Sequence, residues 1–214
     1  MQRFAMHSFL ILIGLVGAGS AAAGAQADAV RAISRTDVAV SLYGAFSGTT
    51  TGNNVTQSPS NAAGGMIEVR HIANPILGFD ATYSFNRANQ TYSYTIPPLC
   101  APASCLAAAI SANAHEVTGD WTPSVKIANF RPFGVLGVGL LLNVPSSGQT
   151  NSSTSTKAVY VYGAGLDWGL SPHIGLRFQY RGNLYQAPDV TKLYTSTNAF
   201  THTAEPMIGA YFRF

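Results

Sequence analysis

Along most of this 214-residue chain, apolar and polar side chains alternate one for one. A period of two belongs to β-strands, whose successive side chains point to opposite faces. Eight runs carry it, at 36–46, 64–72, 76–86, 113–124, 131–143, 157–168, 173–183 and 200–214. In the third, Leu77, Phe79, Ala81, Tyr83 and Phe85 oppose Gly78, Asp80, Thr82, Ser84 and Asn86. In the seventh, Ile174, Leu176, Phe178 and Tyr180 oppose Gly175, Arg177, Gln179 and Arg181. The fifth is apolar on both faces and assigns itself to neither. Most runs exceed the usual strand of about five or six residues and suit a tilted strand crossing a bilayer. No segment shows a 3.6-residue period.

The connections alternate in length. Segments 47–63, 87–112, 144–156 and 184–199 are long, and the first and third are rich in Gly, Ser, Thr and Asn. Segments 73–75 and 169–172 are short, and 125–130 is intermediate. Long outer loops alternating with short periplasmic turns are the rhythm of an outer-membrane barrel. The expected fold is therefore all-β: an eight-stranded antiparallel up-and-down transmembrane β-barrel with four long outer loops.

Charge sharpens this picture by deciding which face is inside. Only 10% of residues are charged, against about 25% in an ordinary soluble domain. The acids Asp37, Glu68, Asp80, Glu116, Asp120, Asp167 and Glu205 fall on the polar faces of the runs. So do the bases Arg70, Arg131, Arg177, Arg181 and Arg213, with Lys157 beside them. A base facing lipid at the midplane would cost about 2–4 kcal/mol, whereas acids and bases gathered inside a narrow barrel can pair. The five arginines and seven acids are thus expected to form a lumen charge network. The loops add little charge beyond Arg87, Lys126, Asp189 and Lys192. A formal net charge of +3 is too small to argue for a nucleic-acid partner.

The aromatics agree with one topology. With periplasmic termini, Phe46, Phe85, Tyr160 and Tyr180 lie near the outer rim, and Trp121, Trp168, Phe212 and Phe214 near the periplasmic rim. Two such girdles suit the two bilayer interfaces. Gly137, Gly139, Gly163 and Gly165 fall on inward faces and leave room for large polar side chains opposite.

The beginning of the chain gives its destination. Arg3, the apolar run 9–16 and Ala25-Gln26-Ala27 read as a secretory signal peptide over 1–27, with the barrel domain over 28–214. An exported chain meets an oxidising compartment, so Cys100 and Cys105 are expected to close a small disulfide loop. Their spacing is not that of a C-x-x-C redox pair.

Together with the eight runs, the stretches RPFGVLGVGL, IGLRFQYRG and the terminal IGAYFRF resemble the small eight-stranded outer-membrane barrels of the OmpA/OmpX type. The resemblance covers the chain from about Thr36. It implies a bacterial outer-membrane location, outer-membrane lipid as the surroundings, and insertion by the barrel assembly machinery. That machinery reads a final strand ending in an aromatic, which gives Tyr211, Phe212 and Phe214 the role of assembly signal. The functional expectation is a porin-like but non-enzymatic barrel without a cofactor. Its role would be structural or surface-interacting, with a possible extracellular partner at the loops. Two alternatives stand beside it. One is a lipid-active enzyme using His71, His115, His173 or His202 at the lipid face; the His-x-Ser arrangement of lipid A deacylases is missing at His202, which Ala204 follows. The other is a narrow pore, although eight strands enclose a space that side chains fill.

Overall fold

A computed structural model of the protein describes residues 35–94, 108–148 and 151–214. The signal-peptide assignment and the Cys100–Cys105 pairing lie outside the described residues. Among the described residues ten strands form in chain order: β1 (Arg35–Ser47), β2 (Thr50–Gly52), β3 (Val55–Pro59), β4 (Ala62–Ile72), β5 (Gly78–Tyr94), β6 (Ala108–Trp121), β7 (Phe130–Pro145), β8 (Ser155–Gly169), β9 (Ile174–Gln186) and β10 (Phe200–Arg213). Eight of them close into a ring, β1-β4-β5-β6-β7-β8-β9-β10, every neighbour antiparallel. The ring closes where β10 returns to β1, with Asp37 opposite Arg213 and Tyr43 opposite Met207. The backbone N–H of Phe214 extends this seam by donating to Thr36 O at 3.0 Å. Within the eight-strand ring, closure leaves no unpaired edge among the described residues, and a hydrocarbon solvent would not tolerate one.

One end of the barrel carries the short turns, the start of β1 and the finish of β10; we term it the terminal end. The other, the loop end, is more ordered than the alternation predicts. Inside the first long connection, β2 and β3 form a hairpin whose turn residues Asn53 and Asn54 adopt φ of 50° and 60°. Asparagine tolerates that left-handed backbone better than most residues. Strand β3 then docks on an extension of β5, from Val55 opposite Tyr94 to Pro59 opposite Gln90. Strand β6 begins at Ala108 and pairs with β5 as far out as Tyr92. These outer ladders escape the period-two reading because beyond the lipid nothing requires an apolar outward face. Backbone pairing continues there without the alternation that announces it.

The last long connection folds inward across this end. Ala187 and Val190 are buried, and Val190 packs with Val55, Tyr92, Ile110 and Ala112. The Tyr92 hydroxyl donates to Pro188 O at 2.8 Å and accepts from the Val190 N–H at 3.3 Å. Burial pushes that hydroxyl up to about 12, so it stays protonated and keeps both bonds. Gln57 Nε2 also donates to Pro188 O at 3.1 Å, and Asn53 Nδ2 to Ser196 O at 2.7 Å. Segment 187–199 thereby becomes a lid seated on the barrel wall.

The doubly apolar fifth run has a physical explanation in β7. Leu136, Val138 and Leu140 face outward and are exposed. Phe133, Val135 and Leu141 face inward and join Val159, Val161 and Tyr185 in an apolar cluster along one side of the lumen. Of the inward glycines, Gly137 makes room for the Asp120 carboxylate. Gly165 instead makes room for the Phe133 ring, an aromatic neighbour where the sequence suggests a polar one. Gly139 and Gly163 lie against backbone of the neighbouring strand, at Val117 and Tyr180.

Candidate functional site

The lumen is where the chain concentrates its chemistry. Asp37, Glu68, Arg70, Asp80, Glu116, Asp120, Asp167, Arg177, Arg181 and Glu205 are all buried there, and the side chains of Arg70, Arg177 and Arg181 are 0% exposed. They sort into two knots. In the knot nearer the terminal end, Arg177 donates from Nε to Asp167 Oδ1 at 2.7 Å, from Nη2 to Asp37 Oδ1 at 2.8 Å, and from Nη1 to Glu68. Arg70 grips Asp80 through both carboxylate oxygens, at 2.7 and 2.9 Å, and its Nη2 lies 2.8 Å from Glu68. A fork matched to a carboxylate in this way is the stronger form of ion pair. The Arg70 guanidinium also lies 3.9 Å from the centre of the Phe133 ring, so the apolar wall of β7 supports the charge from one side.

The second knot is built on Arg181. Its Nη1 donates to Asp120 Oδ2 at 2.9 Å, and its Nη2 to Thr118 Oγ1 at 3.1 Å and Glu116 Oε1 at 3.3 Å. Asn183 Nδ2 holds the other Glu116 oxygen at 2.9 Å. Glu205 sits opposite Arg181 in the β9–β10 register. Three acids therefore share one arginine.

Arg131 and Arg213 stand outside both knots, at the terminal mouth, where Arg35 joins them. Among the described residues Arg131 has no carboxylate partner, and Arg213 Nη2 donates to the Tyr211 hydroxyl at 3.0 Å. Lys157, on the lumen face toward the loop end, pairs with Asp189 of the lid at 3.2 Å. Arg35 escapes sequence reading because it precedes the first alternating run. The lid contacts of Pro188 and Val190 leave no sequence signal. Of the proposed assembly residues, Tyr211 is buried in the lumen, while Phe212 and Phe214 are exposed outward and meet edge to face at 5.1 Å.

Outside, the wall is a band of exposed apolar side chains including Val40, Leu42, Ile67, Val69, Leu140, Phe178 and Ile208. Phe46, Phe85, Tyr160 and Tyr180 lie toward its loop edge, with Trp121, Trp168, Phe212 and Phe214 toward its terminal edge. Among the described residues, the histidines fall on this outer surface or at its rims. His71 Nδ1 is 2.9 Å from Thr36 Oγ1, His115 Nδ1 is 2.9 Å from the Tyr83 hydroxyl, and His202 Nε2 is 2.9 Å from the Tyr162 hydroxyl. His173 stacks on Phe212. Every acid on the strands faces the lumen, on the opposite side of the sheet from His71, His115 and His202.

A closed ring of eight strands, charged within and apolar without, is the architecture of an outer-membrane barrel. The family model described as "Outer membrane protein beta-barrel domain" matches residues 11–204. The chain belongs to that family. Its membership places it in the bacterial outer membrane. No curated protein matches it by sequence. Among solved structures, it is similar to Neisserial surface protein A, at 14% identity and a TM-score of 0.58, over 84% of this chain and 97% of that one. It is also similar to OprG from Pseudomonas aeruginosa, at 10% identity and a TM-score of 0.54, over 85% of this chain and 97% of the other. At those identities the likeness is one of fold.

Proposed function

We propose that this barrel is a non-enzymatic surface protein whose loop end binds an extracellular partner, with its termini in the periplasm. The observation that carries the reading is the construction of the loop end. The β2–β3 hairpin, the extended β5–β6 wall and the 187–199 lid form one packed surface beyond the lipid-facing band. It presents exposed Tyr94, Leu193 and Phe200 among Ser, Thr and Asn. Loops held on a rigid scaffold are where binding residues concentrate. The short turns gather at the opposite end, which supports periplasmic termini. The chain would reach the membrane through signal 1–27, with a Cys100–Cys105 disulfide in its second long loop.

The lid and the two charged knots fill the lumen in succession, which favours a closed barrel over a narrow pore. An enzymatic reading needs a nucleophile, a base and an orienting group within reach. The sheet itself separates the outward histidines from the strand acids. Displaying the protein on a host cell and probing arrays of immobilised glycans and matrix proteins tests the reading. Wild-type cells are expected to adhere, and replacing 188–197 by a short Gly-Ser linker to reduce adherence several-fold while heat-modifiable gel mobility persists. Equal adherence of the two strains overturns the loop-end assignment. Discrete conductance steps in planar bilayers would transfer support to the pore.

The same reading gives Phe212 and Phe214 a part in recognition by the assembly machinery. Replacing both by alanine is expected to lower outer-membrane levels several-fold, read by membrane fractionation, while the purified variant still refolds in detergent. Unchanged levels would remove them from that role.

A further inference from the structure

We propose that the terminal mouth of the barrel is an oxyanion site that takes a phosphate group. Arg35 on β1, Arg131 on β7 and Arg213 on β10 line one cavity of about 340 Å³, with Lys126 of the β6–β7 turn at its edge. Strand β7 lies across the ring from the β1–β10 seam. The arginines therefore approach from opposite walls, and like charges are brought together against their mutual repulsion.

The two acids nearby are held more closely by Arg177 than by the mouth cations. Asp167 borders the cavity, but its Oδ1 and Oδ2 accept from Arg177 at 2.7 and 3.2 Å. Asp37 Oδ1 is likewise held by Arg177 at 2.8 Å. Arg35 Nη2 makes only long ion pairs, 3.9 Å to Asp37 Oδ2 and 3.8 Å to Asp167 Oδ2, with no hydrogen bond in either. As a result Arg35 Nε and Nη2, Arg131 Nε and Arg213 Nε are buried without an acceptor in the protein. A buried charged donor left without an acceptor is costly, and the three arginines that carry these nitrogens line the same cavity.

The charge balance of the lumen points to the same place. Arg70 and Arg177 with the four mouth cations outnumber Asp37, Glu68, Asp80 and Asp167 by two. Toward the loop end the sign reverses, where Glu116, Asp120 and Glu205 share Arg181. The surplus positive charge is thus fixed at one mouth rather than spread through the barrel.

Guanidinium forks reaching in from different walls match a tetrahedral oxyanion, which accepts in several directions at once. A planar carboxylate presents its two oxygens in a single plane and would leave part of the set unsatisfied. The phosphate could be a free ion or the headgroup of a lipid in the adjoining leaflet, and the two share this chemistry.

The test is calorimetric titration of the refolded barrel, in a phosphate-free detergent at constant ionic strength. Inorganic phosphate and glycerol 3-phosphate are titrated in separate arms. Saturable binding of at least one is expected, weakened at least tenfold in the Arg131→Gln/Arg213→Gln double variant. Arg213→Lys, which keeps the charge but removes the fork, should weaken binding less than the double variant. Lys157→Gln, at the other end of the lumen, should leave it unchanged. Binding of inorganic phosphate alone assigns a free ion, and binding of glycerol 3-phosphate assigns a headgroup. Absence of saturable heat in both arms overturns the proposal. So does equal affinity in the wild type, the double variant and Arg213→Lys, all showing folded gel mobility.

Discussion

Replacing Arg177 by methionine will destabilise the barrel by about 3–5 kcal/mol, the cost of breaking a buried ion pair from one side. Methionine fills similar space, so the loss is one of charge. Asp37, Glu68 and Asp167 all lose their principal donor at once, with Arg70 left to serve Glu68, Asp167 and its own partner Asp80. The unfolding midpoint in urea, followed in lipid vesicles by fluorescence of Trp121 and Trp168, reads the change. Adding Asp37→Asn and Asp167→Asn to the variant should recover part of the loss, because neutral amides need no counter-charge. An unchanged midpoint for the single variant would mean that the knot is filler rather than fastening.

Arg181→Met should be comparably damaging, and acid should repair it. Without Arg181, Glu116, Asp120 and Glu205 share the lumen with no base among their hydrogen-bond partners. Protonation removes their charge and with it the need for a partner. The folded variant then binds more protons than the unfolded chain, and its stability falls as pH rises. The expected outcome is a variant that refolds efficiently near pH 4 and poorly near pH 8, with gel mobility as readout. A variant equally impaired at both values would show that Arg181 acts through its bulk and its contact with Thr118 rather than through charge.

The barrel is legible in the sequence because lipid makes every outward position answer the same question. Val40, Ile67, Leu140 and Ile208 are apolar for one reason, and the period of two follows. The inward charges are legible for the complementary reason, since a buried arginine stands out in a chain with few charges. Which acid each arginine holds was not legible. Arg177 meets Glu68 from across the lumen, and that contact depends on strand tilt and side-chain reach rather than spacing. Phe133 hides for a different reason: an apolar residue inside looks like an apolar residue outside when both faces of β7 are apolar. Arg35 fell just before the alternation, and its importance comes from Arg131 and Arg213, which are distant in the chain. The lid is held by Asn53, Gln57 and Tyr92, three residues that carry no common pattern.

The β1–β10 seam also governs how the molecule can form. It joins the first strand to the last, so the pairing of Asp37 with Arg213 spans almost the whole domain. Closing so long a loop costs entropy before any contact repays it, and folds dominated by such distant contacts form slowly. The hairpins can be made as the chain emerges, but the ring cannot. Until β10 is present, β1 and β9 each carry an open edge, and the charged lumen has no wall to enclose it. A chain halted before β10 is therefore an open sheet with two adhesive margins, and the step that makes the protein membrane-compatible is its last.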